Sequence, residues 1–314
     1  MMPANFQYRN PKDVQEAIQF YREYQGEAVY LSGGTDLVPR VKLGLEKPKA
    51  LIDLKRIAPL ATIDDQGEWI RIGSLVRIFN LKQESLVADY FPALKASLEA
   101  TSCESLQMRG TIGGNLLQNT RCLFYNQSEF WRKSKGFCLK MGGETCNAVQ
   151  GAKACFASYC SDNATVLCTL STQIELSGPE GERRVGLDEL YSNKAQNPFV
   201  LQPGEILTAI LIPKKKTLGG YEKVRVRGAI DYPLLGLAFS SVNGTGKLAV
   251  GAVGPRPYVQ DVTQPWQDTL GETVEALVRQ VKPVGNTVLD AGYRKRMIPV
   301  LAGRLVKKVM EGAK

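Results

Sequence analysis

Four cysteines, Cys122, Cys138, Cys146 and Cys155, fall within one short stretch of a chain that has seven cysteines and no histidine. Fifteen, seven and eight residues lie between them. Four thiolates suit either a structural Zn²⁺ or an iron–sulfur cluster. Structural zinc sites bring their ligands in C-x₂₋₄-C pairs, and no such pair occurs in this stretch. The wide spacing points instead to one loop wrapped around a larger inorganic body, with plain buried or surface thiols as the third reading. Lys133, Lys135, Lys140, Lys153, Arg121 and Arg132 would offset the negative charge of a thiolate-ligated cluster. Phe124, Tyr125, Phe130, Trp131 and Phe137 would shield it from water, and both effects tune a potential. A solvated basic loop with a few aromatics tucked into the core is the bland alternative. Cys103, Cys160 and Cys168 read as small buried residues, although Cys160 lies near enough to Cys155 to compete as fourth ligand.

Two glycine pairs carry the second chemical signal. Ser32-Gly33-Gly34-Thr35-Asp36 and Thr111-Ile112-Gly113-Gly114-Asn115 share one physical idea. Glycine at a strand end leaves no Cβ, so successive backbone N–H groups can converge on an anion. Thr35 and Thr111 each add a hydroxyl, and a helix starting at Asp36 would add its N-terminal partial charge. Two such loops in one chain would grip the two phosphates of a dinucleotide. Most glycine pairs only make tight turns, and neither loop fits G-x-G-x-x-G, so a Rossmann NAD site gains no support.

The missing histidine excludes a Ser-His-Asp triad, a Cys-His nucleophile pair and any histidine metal ligand. If this chain does chemistry, a cofactor is expected to perform it. Lys and Arg number 40 against 31 Asp and Glu, a net charge of +9 that favours acidic partners. The basic residues are scattered apart from Lys214-Lys215-Lys216 and a C-terminal group, a solvated surface rather than a nucleic-acid motif. No apolar run approaches the roughly 18 to 20 residues of a membrane helix, and Met1-Met2-Pro3-Ala4-Asn5 lacks the character of a signal peptide. A cytoplasmic location with reduced thiols is the expectation, and the odd cysteine count argues against a disulfide framework.

The 314 residues are enough for two or three packed domains. Asn10-Pro11 reads as the start of a helix whose buried face is Val14, Ala17, Ile18 and Tyr21, ended by Gly26. Strands over 27–31 and 50–54, with a short helix from Asp36, complete a small α/β unit. A second unit begins near Ala58, with a strand over 69–73 and a helix over 92–100. Strands 174–177 and 183–185 flank a G-P-E-G-E hairpin turn, and another strand spans 205–212. Beyond the lysine run, strands 221–226, 234–242 and 247–253, with a turn at Asn243-Gly244, and helices near 273–281 and 290–311 make an α+β domain.

At this point a family resemblance enters. L-S-G-G-T-D-L at 31–37 and T-I-G-G-N at 111–115 resemble the two FAD-binding loops of the flavin (medium) subunit of molybdenum hydroxylases, the xanthine dehydrogenase and carbon monoxide dehydrogenase family. Asp162 in S-D-N-A and Lys223 in Y-E-K-V-R extend the likeness along the whole chain. R-C-L-F-Y-N-Q-S-E-F-W-R at 121–132 is similar to one branch, the β subunit of 4-hydroxybenzoyl-CoA reductase. The resemblance implies an α+β fold: a two-subdomain FAD-binding fold of the vanillyl-alcohol-oxidase type, then a C-terminal domain of the CO dehydrogenase flavoprotein type. Its domains would be 1–57, 58–213 with an iron–sulfur insertion at about 120–157, and 218–314. Leu31, Ser32, Gly33, Gly34, Thr35, Asp36 and Leu37 would wrap the FAD pyrophosphate, with Thr111, Gly113, Gly114, Asn115 and Gln118 as the second loop. Asp162 would bind ribose hydroxyls and Lys223 would sit near the flavin. Cys122, Cys138, Cys146 and Cys155 would hold a [4Fe–4S] cluster.

The implied partners are a molybdopterin-binding large subunit, a [2Fe–2S] small subunit and a ferredoxin-like electron donor or acceptor, in a dimer of heterotrimers, with no nucleic acid and no membrane. The implied activity is electron transfer for the anaerobic dehydroxylation of 4-hydroxybenzoyl-CoA in aromatic degradation. A related hydroxylase that oxidises another substrate and a zinc-stapled binding protein are the rivals.

Overall fold

The computed structural model describes residues 5–312. Met1–Ala4 of the N-terminal stretch read for leader character, and the last two residues of the expected C-terminal domain, lie outside the described residues. Twelve strands grouped in three sheets, with helices packed on them, build the described chain.

The first sheet holds β1 (Gln7–Arg9), β2 (Ala28–Leu31) and β3 (Ala50–Asp53), all parallel, in the order β1-β3-β2. The helix Val14–Glu23 crosses from β1 to β2 and buries Ala17 and Ile18 on the apolar stripe the sequence shows. It starts later than Asn10-Pro11 promised. Asp13 is the N-cap: its carboxylate accepts the Glu16 N–H at 2.8 Å, while the Glu16 side chain accepts the Lys12 N–H at 2.7 Å. That reciprocal pairing settles the first turn more firmly than proline at the first position does.

The second sheet holds β4 (Ile63–Asp65), β5 (Trp69–Gly73), β6 (Gln173–Gly178), β7 (Gly181–Gly186) and β8 (Ile206–Pro213), antiparallel in the order β4-β5-β8-β6-β7. The chain leaves this sheet at Gly73 and returns at Gln173. Everything between, including the second glycine pair and all four cysteines of the loop, is carried on that excursion. Helix Pro92–Ala100 and helix Asp162–Leu167 bury Leu94, Leu98, Val166 and Leu167 against Ile70, Ile72, Ile174 and Ile210 of the sheet.

The third sheet holds β9 (Leu218–Val224), β10 (Leu235–Val242), β11 (Thr245–Gly251) and β12 (Tyr258–Thr263), antiparallel in the order β12-β11-β10-β9. Asn243 and Gly244 link β10 to β11 with φ of 49° and 84°, the double positive φ of a type I′ turn. One face of the sheet packs Leu237, Phe239, Leu248 and Val250 against helices Trp266–Gln280 and Ala291–Gly312. The opposite face, through Tyr221, Ala238 and Ala249, closes onto the core of the second sheet. Burial on both faces explains why β10 reads as an unbroken apolar run. β12 was not expected, because only Val262 of its six residues is buried and its alternation is correspondingly faint. Helix Trp266–Gln280 begins earlier than 273 because the Trp266 ring stands edge-on to Phe239 at 5.1 Å and needs the helix to carry it there.

Candidate functional site

β2 ends in the first glycine pair, and the second pair opens the short helix Ile112–Leu116. The two loops are pressed together. A Cβ on Gly33 would fall 2.1 Å from the Arg109 carbonyl oxygen, just upstream of the second loop. A Cβ on Gly114 would fall 2.8 Å from Ser32 Oγ and 3.0 Å from Thr111 Oγ1. Only glycine permits both approaches.

The loops differ in what they leave free. Among the described residues the backbone N–H groups of Gly33, Gly34 and Thr35 meet no acceptor, so the first loop offers a fan of donors to an anion. The second loop does not match the expectation of converging N–H groups. Ile112 N–H bonds the Val76 carbonyl and Gly113 N–H the Ser74 carbonyl, both at 2.9 Å, and Gly114 N–H goes to Thr111 Oγ1 at 3.1 Å. Thr111 is the N-cap, and its hydroxyl keeps only its own hydrogen to give. The second loop therefore supplies space and side chains.

Between and around the loops lies a cleft of about 770 Å³, within the range of small-molecule and cofactor sites. Ser32, Gly33, Gly34, Thr35, Asp36, Leu37, Thr111, Gly113, Gly114, Asn115, Gln118 and Asp162 all line it. Leu31 does not; it is buried beneath the first loop. Lys223 does not line it either. Its ammonium donates to Asp162 Oδ2 at 3.1 Å, the Ala100 carbonyl at 3.0 Å and the Asp231 carbonyl at 2.9 Å, which uses all three of its hydrogens one layer behind the wall. Asp162 is buried and also accepts the Tyr221 hydroxyl at 2.7 Å. Burial raises its carboxyl above the usual carboxylate range against the opposing pull of Lys223.

Two polar groups in the cleft stand without partners. The Gln118 amide is 6% exposed and makes no hydrogen bond to the described chain. Asn115 Oδ1 accepts Ser161 Oγ at 2.6 Å and Asn163 Nδ2 at 3.0 Å, which leaves the Asn115 NH₂ free to donate. Buried amides in this state need a ligand or water to complete them. A cleft with an anion-binding loop, unpartnered amides and a buried carboxylate fits a dinucleotide. Tyr30, Arg40, Glu46, Gln107 and Tyr232 also line it and were not anticipated. Arg40 alone had a visible signal, four residues after Asp36 on the helix Leu37–Lys42.

The cysteine stretch closes at a neck where Arg121 and Ser158 exchange backbone hydrogen bonds of 2.7 and 2.8 Å. Arg132, 2% exposed, donates to the Leu43 and Gly44 carbonyls at 3.1 and 3.2 Å, and Leu123 N–H donates to the Asn286 carbonyl at 3.0 Å. The stretch is thus tied to both ends of the chain. All seven cysteines are free thiols. Burial raises the Cys122 thiol, and the neighbouring Cys146 and Cys155 raise it further. Burial likewise raises Cys155, with Cys146 and Cys138 adding to it. Cys122 thus has Cys146 and Cys155 as electrostatic neighbours, and Cys155 has Cys146 and Cys138. Among the described residues, no three His, Cys, Asp or Glu side chains are grouped as a single metal ion requires.

Cys160 belongs elsewhere. It lines the cleft, burial pushes its thiol up to about 12, and its charged neighbours are Arg121, Asp162, Arg294 and Lys223. The expected flanks divide. Arg132 and Lys140 are the cations packed inside, the Lys140 ammonium 4.8 Å from the Tyr125 ring centroid, whereas Lys133, Lys135 and Lys153 are exposed. Tyr125 is buried, but Phe130 is 84% exposed and shields nothing within this chain.

Residues 4–215 match the family described as the FAD binding domain in molybdopterin dehydrogenase. The chain is 32% identical to the aldehyde oxidoreductase FAD-binding subunit PaoB of Escherichia coli over 251 residues, 74% of this chain and 76% of that one. It is 25% identical to the carbon monoxide dehydrogenase medium chain of Afipia carboxidovorans over the full length of both. Among solved structures, carbon monoxide dehydrogenase of Hydrogenophaga pseudoflava superposes with a TM-score of 0.78 at 22% identity, covering 99% of each chain. Quinoline 2-oxidoreductase of Pseudomonas putida 86 gives 0.76 at 22% identity, covering 100% of this chain and 99% of that one. The mixed α+β fold is that of this flavoprotein type, and the chain belongs to the FAD-binding family of molybdopterin dehydrogenases, as the flavin-binding subunit of a molybdenum hydroxylase-type oxidoreductase.

Proposed function

We propose that this chain is a two-cofactor electron relay, with FAD in the cleft and a [4Fe–4S] cluster on Cys122, Cys138, Cys146 and Cys155. The observation that carries the flavin is the cleft with the open N–H fan of Gly33, Gly34 and Thr35; what supports the cluster is the four cysteines gathered in one stretch with the 121–132 motif. Among the described residues no group of three His, Cys, Asp or Glu is placed to hold a metal ion, so the cluster rests on the four cysteines of one stretch and on the 121–132 motif. When bound, FAD exchanges electrons singly or in pairs and an iron–sulfur cluster exchanges them singly.

The chain's own residues hold and insulate. Gly33, Gly34 and Thr35 direct free N–H groups at a pyrophosphate. Asn115 and Gln118 complete their amide bonding on the ligand, and Asp162 accepts from its hydroxyls. Lys223 fixes Asp162 rather than touching the flavin. The chain would fold as domains 1–57, 58–213 and 218–314, each around one sheet. Substrate chemistry would belong to a molybdopterin-bearing large subunit, joined through a [2Fe–2S] small subunit, in the cytoplasm.

The 121–132 motif supports a complex of the 4-hydroxybenzoyl-CoA reductase type, fed by a ferredoxin-like donor. A second reading, a complex that oxidises aldehydes and passes electrons outward, is favoured by the 32% identity to the aldehyde oxidoreductase subunit. The relay itself is tested by titrating the anaerobically purified chain with dithionite. Uptake of about three electrons per chain, two for a flavin and one for a cluster, is expected; uptake of two with no iron present would overturn it.

A further inference from the structure

Beneath the second glycine loop runs a chain of hydrogen bonds whose direction is fixed at its far end. It leads from the end of helix Pro92–Ala100, through helix Asp162–Leu167, to helix Ile112–Leu116. The Thr101 hydroxyl donates to the Ser97 carbonyl at 2.7 Å, which spends its one hydrogen. The Asn163 atom 3.2 Å from Thr101 Oγ1 must then be the donor Nδ2, and Asn163 Oδ1 accepts the Ser97 hydroxyl at 2.8 Å. The second hydrogen of Asn163 Nδ2 points to Asn115 at 3.0 Å, so the Asn115 atom facing it is the acceptor Oδ1. Ser161 Oγ, which accepts the Ala164 N–H at 3.0 Å, gives its own hydrogen to the same oxygen at 2.6 Å. Asn163 and Ser97 are 0% exposed, which keeps bulk water from competing for these bonds. What remains of the Asn115 side chain is an NH₂ group on the cleft wall with no acceptor among the described residues. An isolated amide turns over at little cost and offers a ligand either atom. Turning this one would set its NH₂ against the NH₂ of Asn163 and leave buried donors unpaired.

We propose, on the reading that FAD occupies the cleft, that Asn163 is a positioning residue for the cofactor. It does not line the cleft itself. It holds the Asn115 amide as a donor, so the FAD atom opposite Asn115 is an acceptor, an oxygen or an unprotonated ring nitrogen. The polarity of that contact is thus set two side chains away, by the single hydrogen of Thr101. No part of this depends on a cluster in the cysteine stretch.

The test is a calorimetric titration of FAD into the full chain after its flavin has been removed, with thermal unfolding of the flavin-free proteins alongside. Asn163→Asp exchanges the donor for an acceptor of the same size. The Asn115 amide then turns its NH₂ inward, its oxygen meets the acceptor on the ligand, and FAD affinity should fall about tenfold. Asn115→Asp keeps the oxygen that Ser161 and Asn163 address and replaces only the donor, so it should lose at least as much. With Asn115→Ala already present, Asn163→Asp should cost no further affinity, because no amide is left to position. A merely structural role for Asn163 would lower affinity equally in both backgrounds. Such an equal loss, or wild-type affinity in Asn163→Asp, overturns the assignment while FAD stays in the cleft. If Asn163→Asp does not fold, Asn115→Asp decides: undiminished affinity there means that the ligand atom opposite is no acceptor, and overturns it too. A wild-type chain that takes up no FAD overturns both the assignment and the flavin reading.

Discussion

The two glycine loops look alike in sequence and act differently in the fold. In the first, Gly33 is packed against backbone, and the following N–H groups are left open. In the second, Gly114 is packed against hydroxyl groups, and the N–H groups are already spent on Ser74, Val76 and Thr111. A repeated motif marks where the chain needs to come close; which atoms remain for a ligand depends on what the neighbouring strand takes. Anion binding and close packing are separate uses of glycine, and the neighbours decide between them.

The contrast is broken most strongly by alanine substitutions at the two glycines. Gly33→Ala drives a methyl into a backbone carbonyl that cannot rotate away, so both loops must separate. We expect FAD-free protein and a loss of about 3 kcal/mol in denaturant unfolding. Gly114→Ala meets only the Ser32 and Thr111 hydroxyl groups, of which Ser32 can turn while the capping Thr111 gives by a few tenths of an ångström, and should cost about 1 kcal/mol with FAD still bound. Equal losses from the two variants would mean that the loops are equivalent after all.

A smaller and more selective effect is expected at Gln118. Its amide has no partner in the chain, so Gln118→Leu should leave the stability of flavin-free protein nearly unchanged or improve it. FAD affinity, measured by calorimetry, should fall by about 1 kcal/mol, roughly fivefold. A drop in stability without a drop in affinity would place the amide outside the binding site.

The smallest effect concerns the base of the first loop. Asp53 is buried, which by itself would raise its carboxyl, but hydrogen bonds from Lys55 and Tyr8 outweigh burial and hold it below the usual value. Lys55 also reaches the Ser32 carbonyl at 3.4 Å, so this pair supports the first loop and not the second. With the folded pKa depressed, the contribution of Asp53 is present above about pH 4 and is lost as pH falls through the folded value. Asp53→Asn should flatten the acid side of the stability curve in that window, measured by thermal melts; an unchanged acid limb would remove Asp53 from the loop's support.

What the sequence made legible follows from how local each signal is. The strand Trp69–Gly73, the Pro179-Glu180 hairpin and the Asn243-Gly244 turn depend on alternation and turn chemistry within a few residues, and the fold places them where they were expected. Both glycine loops were legible as well, because their residue types are unusual. The position of Lys223 was not, since only the fold shows that Ala100, Asp162 and Asp231 consume its hydrogens. The choice between Cys155 and Cys160 was equally closed to spacing. The fold puts Cys160 in the lining of the cleft, a placement that no count of intervening residues could show. Phe130 was misjudged because an aromatic residue in a short helix carries no mark of which side faces water.

The two-cofactor proposal requires an iron–sulfur cluster on the cysteine stretch as well as FAD in the cleft. Elemental and flavin analysis of anaerobically purified protein tests that most directly. About four iron and about four acid-labile sulfide for each FAD are predicted; a chain that carries FAD with one zinc, or with no metal, would contradict it.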